Sequence, residues 1–266
     1  MPHVVAAALL LLLMALSPAA QADRPKLAII IDDLGDRAHE DRRAVALPVP
    51  LTCAILPHTP FASDIARSCH AKDKQVMLHL PLEAKDHNEL LGPGKLTLDQ
   101  DEEEFRETFR EALASVPETA GVNNHMGSLM TRHPGAMTWL MEELDAHDLY
   151  FVDSWVTPRS VALDMAREQR VPAGRRDVFL DEVREPEAIE AALEQAVRRA
   201  LRNGEAIAIG HPYPETMEVL ERRLPFLETE TGIRLVTADV LAREADAEDQ
   251  DEKKDSRQEN RTGEES

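Results

Sequence analysis

Most of the short apolar runs in this sequence stop on an acid or an imidazole. The run 26–32 closes on Asp32 with Asp33 beside it, and 75–80 carries His79. The run 121–125 ends on His125 and 149–153 on Asp153; Asp181 follows 177–180, and His211 follows 205–210. A chain using polar residues only to end strands would draw freely on Ser, Asn, Gly and Pro at such points. The recurrence of Asp and His instead points to a binding or catalytic site. Adjacent acids at a strand end point in different directions, so one can bind a cation while the other accepts a proton. Asp/His/His is a common ligand set for Zn²⁺ or a similar ion that keeps a position open for water or substrate.

Taken singly, these residues have plainer uses. Asp32-Asp33 before Leu34-Gly35 suit a helix cap or a turn, and a lone strand histidine such as His79 is more often hydrogen-bonded core. His125 sits among Asn123, Asn124, Gly127 and Ser128, small and amide residues that leave room for a ligand. His211 is followed by a rigid Pro-Tyr-Pro turn. Trp155 offers a sugar-stacking face or packs the rim; with Asn124 and Asp153 it is a candidate to line a substrate. Arg175-Arg176 orient a carboxylate at the site or pair with an acidic surface. His58 is on the correct side of the sheet without an assigned role, and the remaining histidines read as surface.

These residues need a scaffold that gathers strand ends. Runs at 26–32, 52–56, 75–80, 121–125, 149–153, 177–180 and 205–210 read as strands, with 233–236 as an eighth. Helical spacing falls at 61–70, 101–116, 134–147, 160–170 and 186–203, and Asp99 with Glu102 fits a capping box. Near-continuous apolar strands alternating with helices predict a mostly parallel sheet wrapped by helices, either a barrel or an open doubly wound sheet. In either form the carboxyl ends of the strands face one side, where ligands bind.

Residues 1–22 carry an apolar run from Val4 to Leu16, a Ser17-Pro18 break and an Ala20-Gln21-Ala22 site, the order of a cleavable secretory signal. The run is too short to span a membrane, so a soluble exported domain over 23–242 is expected, with no stable membrane insertion. Residues 243–266 have no apolar side chain larger than Ala and read as a disordered acidic tail. The chain carries a net −20; the stretch from Arg243 on accounts for −5, leaving about −15 on the rest. Such a surface repels nucleic acid and anionic lipid. Cys53 and Cys69 read as two buried free thiols, with a disulfide the lesser reading.

In order along the chain, Ile-Ile-Ile-Asp-Asp-Leu-Gly, Met-Leu-His-Leu-Pro, Val-Asn-Asn-His-Met-Gly-Ser, Tyr-Phe-Val-Asp-Ser, Val-Phe-Leu-Asp and Ile-Gly-His-Pro resemble the divergent polysaccharide deacetylase family. The resemblance spans about Lys26 to Leu241. It implies an irregular seven-stranded (β/α) barrel in one domain, a periplasmic or secreted location, and a divalent metal ion of the Zn²⁺ type. By the same resemblance Asp32 is the base, Asp33 a metal ligand, His79 the first metal histidine and His211 the general acid. The family's second metal histidine falls four residues after the first, where this chain has Glu83. His125 is then the replacement and Glu83 the fallback; Asp181, which ends the sixth strand, is a further acid on the same side of the sheet. The implied activity is hydrolysis of N-acetyl groups on an envelope polysaccharide such as peptidoglycan. The rival is a non-catalytic glycan- or protein-binding module on the same fold. A glycosidase using paired carboxylates would leave the strand-end histidines without work.

Overall fold

The computed structural model describes residues 24–247. The leader 1–22 and most of the acidic stretch, expected as signal and tail, lie outside these residues. Nine strands form one parallel sheet: β1 (Lys26–Leu34), β2 (Thr52–Ile55), β3 (Gln75–Leu82), β4 (Thr119–Met126), β5 (Tyr150–Asp153), β6 (Ala173–Arg175), β7 (Val178–Phe179), β8 (Glu205–Gly210) and β9 (Arg234–Val236). Seven helices connect them: α1 (Ala38–Ala46), α2 (Ala62–His70), α3 (Glu102–Ser115), α4 (Pro134–Ala146), α5 (Ala162–Gln169), α6 (Pro186–Asn203) and α7 (Pro214–Thr231). An eighth, α8, covers 238–247.

The strand order is β6-β5-β4-β3-β2-β1-β8-β7, with β9 added to β1. The two ends of that ladder, β6 and β7, are consecutive in the chain, separated only by Arg176-Asp177. Arg176 N–H donates to Asp153 O and Asp177 N–H to Ile207 O, so the chain steps from one side of the ladder to the other. Counting β6 and β7 as one stave gives the expected seven-stranded irregular barrel, closed by the chain where hydrogen bonds leave a seam.

Alternation along each strand divides the core in two. On β1, Leu27, Ile29 and Ile31 pack outward against helices, while Ala28 and Ile30 face the barrel interior with Ala54, Met77, Tyr150, Val152 and Ile209. The interior is narrow enough to dictate side-chain size: a Cβ on Gly121 would come within 2.3 Å of the Tyr150 ring. Each larger aliphatic side chain buried here, such as Ile30, Met77 and Ile209, contributes roughly 1.5–3 kcal/mol relative to exposure.

Several expectations need correction. Cys53 and Cys69 form a disulfide, Cα–Cα 6.8 Å. Cys69 continues the buried stripe of α2 (Ala62, Ile65, Ala66), which packs on the outer face of β2 where Cys53 points. The capping box is Asp101 with Glu104, two residues later than expected. The D-x-x-E spacing occurs at both places, and burying Phe105, Phe109 and Ala112 on one face selects the later start. Residues 243–247, expected to begin the tail, are helical, with Arg243 paired to Asp148 at 3.4 Å and Glu244 to Lys26.

Candidate active site

The end of β1 sets the geometry. Ile31 pairs with Cys53 and Leu34 with Ile55, so Asp32 and Asp33 together oppose the single residue Ala54. This is a β-bulge, and Asp33 takes a left-handed backbone, φ 57°, which a short acidic side chain tolerates better than most. The kink cancels the alternation that would have sent the two acids to opposite faces. Both now approach one imidazole: His79 Nε2 lies 3.3 Å from Asp33 Oδ1 and 3.7 Å from Asp32 Oδ2. Gly35 completes the turn at φ 109°, where a Cβ would meet Thr59 Oγ1 at 2.3 Å.

His79 and His125 come from neighbouring strands, with His79 in register with Asn123 and Pro81 with His125. His125 Nδ1 lies 3.1 Å from His79 Nε2 and 3.1 Å from Asp33 Oδ1. These three atoms form a nearly equilateral triangle. Ligand atoms 2.0–2.1 Å from a tetrahedral Zn²⁺ stand about 3.3 Å apart, so the triangle has the dimensions of three first-row metal ligands. Asp33 Oδ1 is buried and satisfies no hydrogen-bond geometry, which fits an atom aimed at a shared point beyond its neighbours. Among the described residues, Asp33, His79 and His125 are the group with metal-ligand spacing.

The remaining nitrogens are committed in the sense a metal site requires. His79 Nδ1 donates to Asn123 Oδ1 at 2.8 Å, leaving Nε2 for the cluster. Asn123 Nδ2 in turn donates to Asp32 Oδ1 at 2.8 Å. His125 Nε2 donates to Leu90 O at 3.4 Å, leaving Nδ1 inward. Backing of this kind orients ligating histidines and fixes their tautomers. Asn123 is fully buried and joins a candidate metal ligand, His79, to the candidate base, Asp32, through one amide.

Opposite the triangle stands a second unit. Asp181 Oδ1 accepts from His211 Nδ1 at 2.9 Å, while Oδ2 accepts from His211 N–H at 2.6 Å and Thr216 Oγ1 at 2.8 Å. His211 Nε2 therefore faces the cluster, 3.9 Å from Asp33 Oδ2. The His211 ring lies near-parallel to Phe179 and Tyr213, at centroid distances of 6.3 and 5.2 Å.

The electrostatics divide the acids. Burial pushes Asp32 above the usual carboxylate range, with His79, His211 and the Asn123 amide pulling it partly back. Burial also works against ionised Asp33, yet the His125 and His79 rings hold it well below that range. Burial alone would lower His79, but Asp32 and Asp33 outweigh it and hold the imidazole at about 9. His211 is raised because Asp181 overcomes its burial. One acid is thus a stronger base than usual, and the other a permanent anion.

The other sequence candidates fall elsewhere. Glu83 Oε2 accepts from Leu98 N–H at 2.7 Å, which ties it to the following loop and away from the triangle. Asn124 is buried with its amide spent on Met126 O and Ser154 N–H, so it joins strand ends and presents nothing to a substrate. Asp153 is fully buried and caps Trp155 N–H at 2.8 Å, holding a turn. Trp155 sits at the rim with φ 51°, and Arg175 covers one ring face at 4.4 Å. His58 packs near Gly94, outside the cluster. Among the amides it is Asn123, and not Asn124, that serves the site; it lies two positions before His125 and shares its face, which strand alternation signals in the sequence.

A model of the divergent polysaccharide deacetylases matches residues 29–242. The Escherichia coli K12 protein YibQ is 36% identical over 219 residues, covering 82% of this chain and 68% of that protein. The crystal structure of protein ATU2773 from Agrobacterium tumefaciens C58 superposes with a TM-score of 0.78 at 21% identity, covering 82% of this chain and 89% of that one. The peptidoglycan deacetylase PdaC from Bacillus subtilis, as its D285S mutant, shares the fold at a TM-score of 0.50 and 12% identity over 89% of this chain and 98% of its own. The match over nearly the whole described domain, together with YibQ, places this chain in the divergent polysaccharide deacetylase family.

Proposed function

We propose that this chain is an exported, metal-dependent hydrolase that removes acetyl groups from an N-acetylated envelope glycan. The observation that carries the reading is the triangle of Asp33 Oδ1, His79 Nε2 and His125 Nδ1, with a buried carboxylate oxygen at one corner that no hydrogen bond satisfies. The donor set of one carboxylate and two backed imidazoles suits Zn²⁺ and leaves a position open. When bound, such an ion would polarise an acetyl carbonyl and a water molecule.

The chain's own groups supply the proton transfers. Asp32, raised by burial and steered by Asn123, takes the proton of the attacking water. His211, kept protonated by Asp181, presents Nε2–H to the departing amine nitrogen. Base and acid come from different strands, β1 and the end of β8. Export is supported by the leader composition and by the Cys53–Cys69 bond, which persists in an oxidising compartment. No described helix is long and apolar enough to cross a membrane.

The test is acetate release from N-acetylglucosamine oligomers and from peptidoglycan by the zinc-loaded protein. The wild type is expected to release acetate, with Asp32→Asn and His211→Gln each slower by roughly 10²–10⁴-fold. Stoichiometric metal without acetate from either substrate would overturn the hydrolase reading and leave a glycan-binding module.

A further inference from the structure

Three arginines on the segment from β6 to α6 each lie over an aromatic ring. Arg175 is over Trp155 at 4.4 Å, Arg176 over Phe179 at 3.7 Å and Arg184 over Tyr213 at 3.5 Å. The three differ in what their N–H groups do. Arg176 is half-buried and spends Nε and Nη2 on the Ser154 and Trp155 carbonyls, at 2.7 and 2.9 Å. Its role is to hold the loop after β5 against the rim. Arg175 and Arg184 are exposed, and among the described residues neither forms an ion pair, although Glu182 and Glu185 flank Arg184 in sequence. Exposed Arg198 and Arg222 pair with glutamates, whereas Arg42, Arg159 and Arg202 are exposed without an ion pair among the described residues, so what sets Arg175 and Arg184 apart is the aromatic ring beneath each.

A guanidinium held over a ring face is restrained in position by the cation–π attraction, and its N–H donors that meet no protein partner remain available. That is a preorganised fork for a planar oxyanion, able to bind it bidentately. Both forks belong to the mouth of the candidate site. The Tyr213 ring under Arg184 stacks on His211 at 5.2 Å. The Trp155 ring under Arg175 belongs to the loop that Arg176 holds, and Arg176 itself covers Phe179, whose ring stacks on His211 at 6.3 Å. The net charge of the chain repels anions at long range, so any preference for one must come from such short-range, oriented donors.

From this arrangement we propose that Arg175 and Arg184 form an anion subsite that selects glycans bearing carboxylates beside the N-acetyl group over neutral ones. The inference rests on the glycan reading given above and narrows it to acidic N-acetylated glycans, of which strands carrying lactyl ether carboxylates are the simplest. An acidic polypeptide is the competing ligand for such forks.

Calorimetric titration of the zinc-loaded full chain tests this without requiring turnover. The probes are a peptide-free peptidoglycan tetrasaccharide, the same tetrasaccharide with its lactyl carboxylates converted to amides, and a poly-glutamate peptide of similar charge. The wild type is expected to bind the carboxylated sugar about tenfold more tightly than the amidated one. In Arg175→Gln/Arg184→Gln that ratio should fall to near one. Arg175→Lys/Arg184→Lys keeps the charge without the fork and should lose most of the preference. Equal wild-type affinity for the acid and its amide overturns the subsite, as does tighter binding of poly-glutamate; both use only wild type, so a variant that fails to fold does not spoil them. Acetate release from neutral oligomers with no carboxylate preference would sink the subsite and spare the hydrolase. Carboxylate-selective binding without acetate release from either sugar would do the reverse.

Discussion

The two ends of the barrel bury polar groups in opposite ways. At the amino-terminal end, Tyr150 Oη donates to Gln75 Oε1 at 2.5 Å, Thr52 Oγ1 donates to the same oxygen at 3.2 Å, and Asp239 N–H reaches it at 3.3 Å. Ala238 N–H donates to Thr52 Oγ1 at 3.0 Å. These residues receive the start of α8, whose Ala238, Leu241 and Ala242 stopper the interior. Nearby, buried Lys74 donates to Leu47 O and Val49 O, covering carbonyls at the carboxyl end of α1. At the other end, two acids and two imidazoles crowd within 4 Å and leave Asp33 Oδ1 without a hydrogen bond. A network whose polar groups find partners fixes a structure. A network that leaves an acceptor open at a convergence of ligand atoms is built for something else to occupy.

Mutations should separate the two ends, and the largest effect belongs to the open one. Asp33→Ala is expected to lower acetate release by more than about a thousandfold through loss of the metal. Metal-free Asp33→Ala should also melt lower than metal-free wild type near neutral pH, because the His79 and His125 rings lose the anion they hold well below the usual carboxylate range.

Asn123→Ala tests a residue with both roles. It strips a partner from His79 and from Asp32, so metal affinity should fall roughly 10–100-fold. The buried groups left behind should cost about 1–3 kcal/mol in denaturant unfolding. Leu241→Ala belongs to the closed end alone. It should cost about 2–5 kcal/mol while leaving zinc affinity of the folded protein unchanged. A shift in zinc affinity would show that the ends are coupled.

Proton competition gives a milder distinction. Below its value of about 9, the His79 imidazole holds a proton that a metal must displace. Zinc affinity should therefore weaken by about tenfold per pH unit as pH falls through this range. Smaller still is the effect of Asp181→Asn. Asp181 raises His211, and the acid form of His211 is the one needed, so the alkaline limb of the rate profile should move to lower pH. An unmoved limb would assign the general acid to another group.

Much of this contrast was legible in the sequence, for physical reasons. Strand ends of a parallel sheet gather at one side, so the stops at Asp32, His79, His125 and His211 could be read as neighbours without a structure. The period of two also puts Asn123 on the face of His125. The β-bulge was not legible, because Asp-Asp-Leu-Gly is compatible with an ordinary strand end, and the alternation rule then wrongly separates the two acids. β6 escaped notice because Ala173-Gly174-Arg175 has no apolar run, being a strand by register with β5 alone. α7 was hidden by Pro214 and Pro225, the first favourable at a helix start and the second unusual inside one. The disulfide required knowing that α2 lies on β2, a tertiary fact that two cysteines sixteen residues apart do not announce.

The most direct measurement is the zinc content of the purified protein after dialysis, for wild type and for Asp33→Ala, His79→Gln and His125→Gln. About one ion per wild-type chain, lost in each variant, is the predicted result. Wild type without stoichiometric zinc, or full retention in any of the three variants, would contradict a single ion shared by Asp33, His79 and His125.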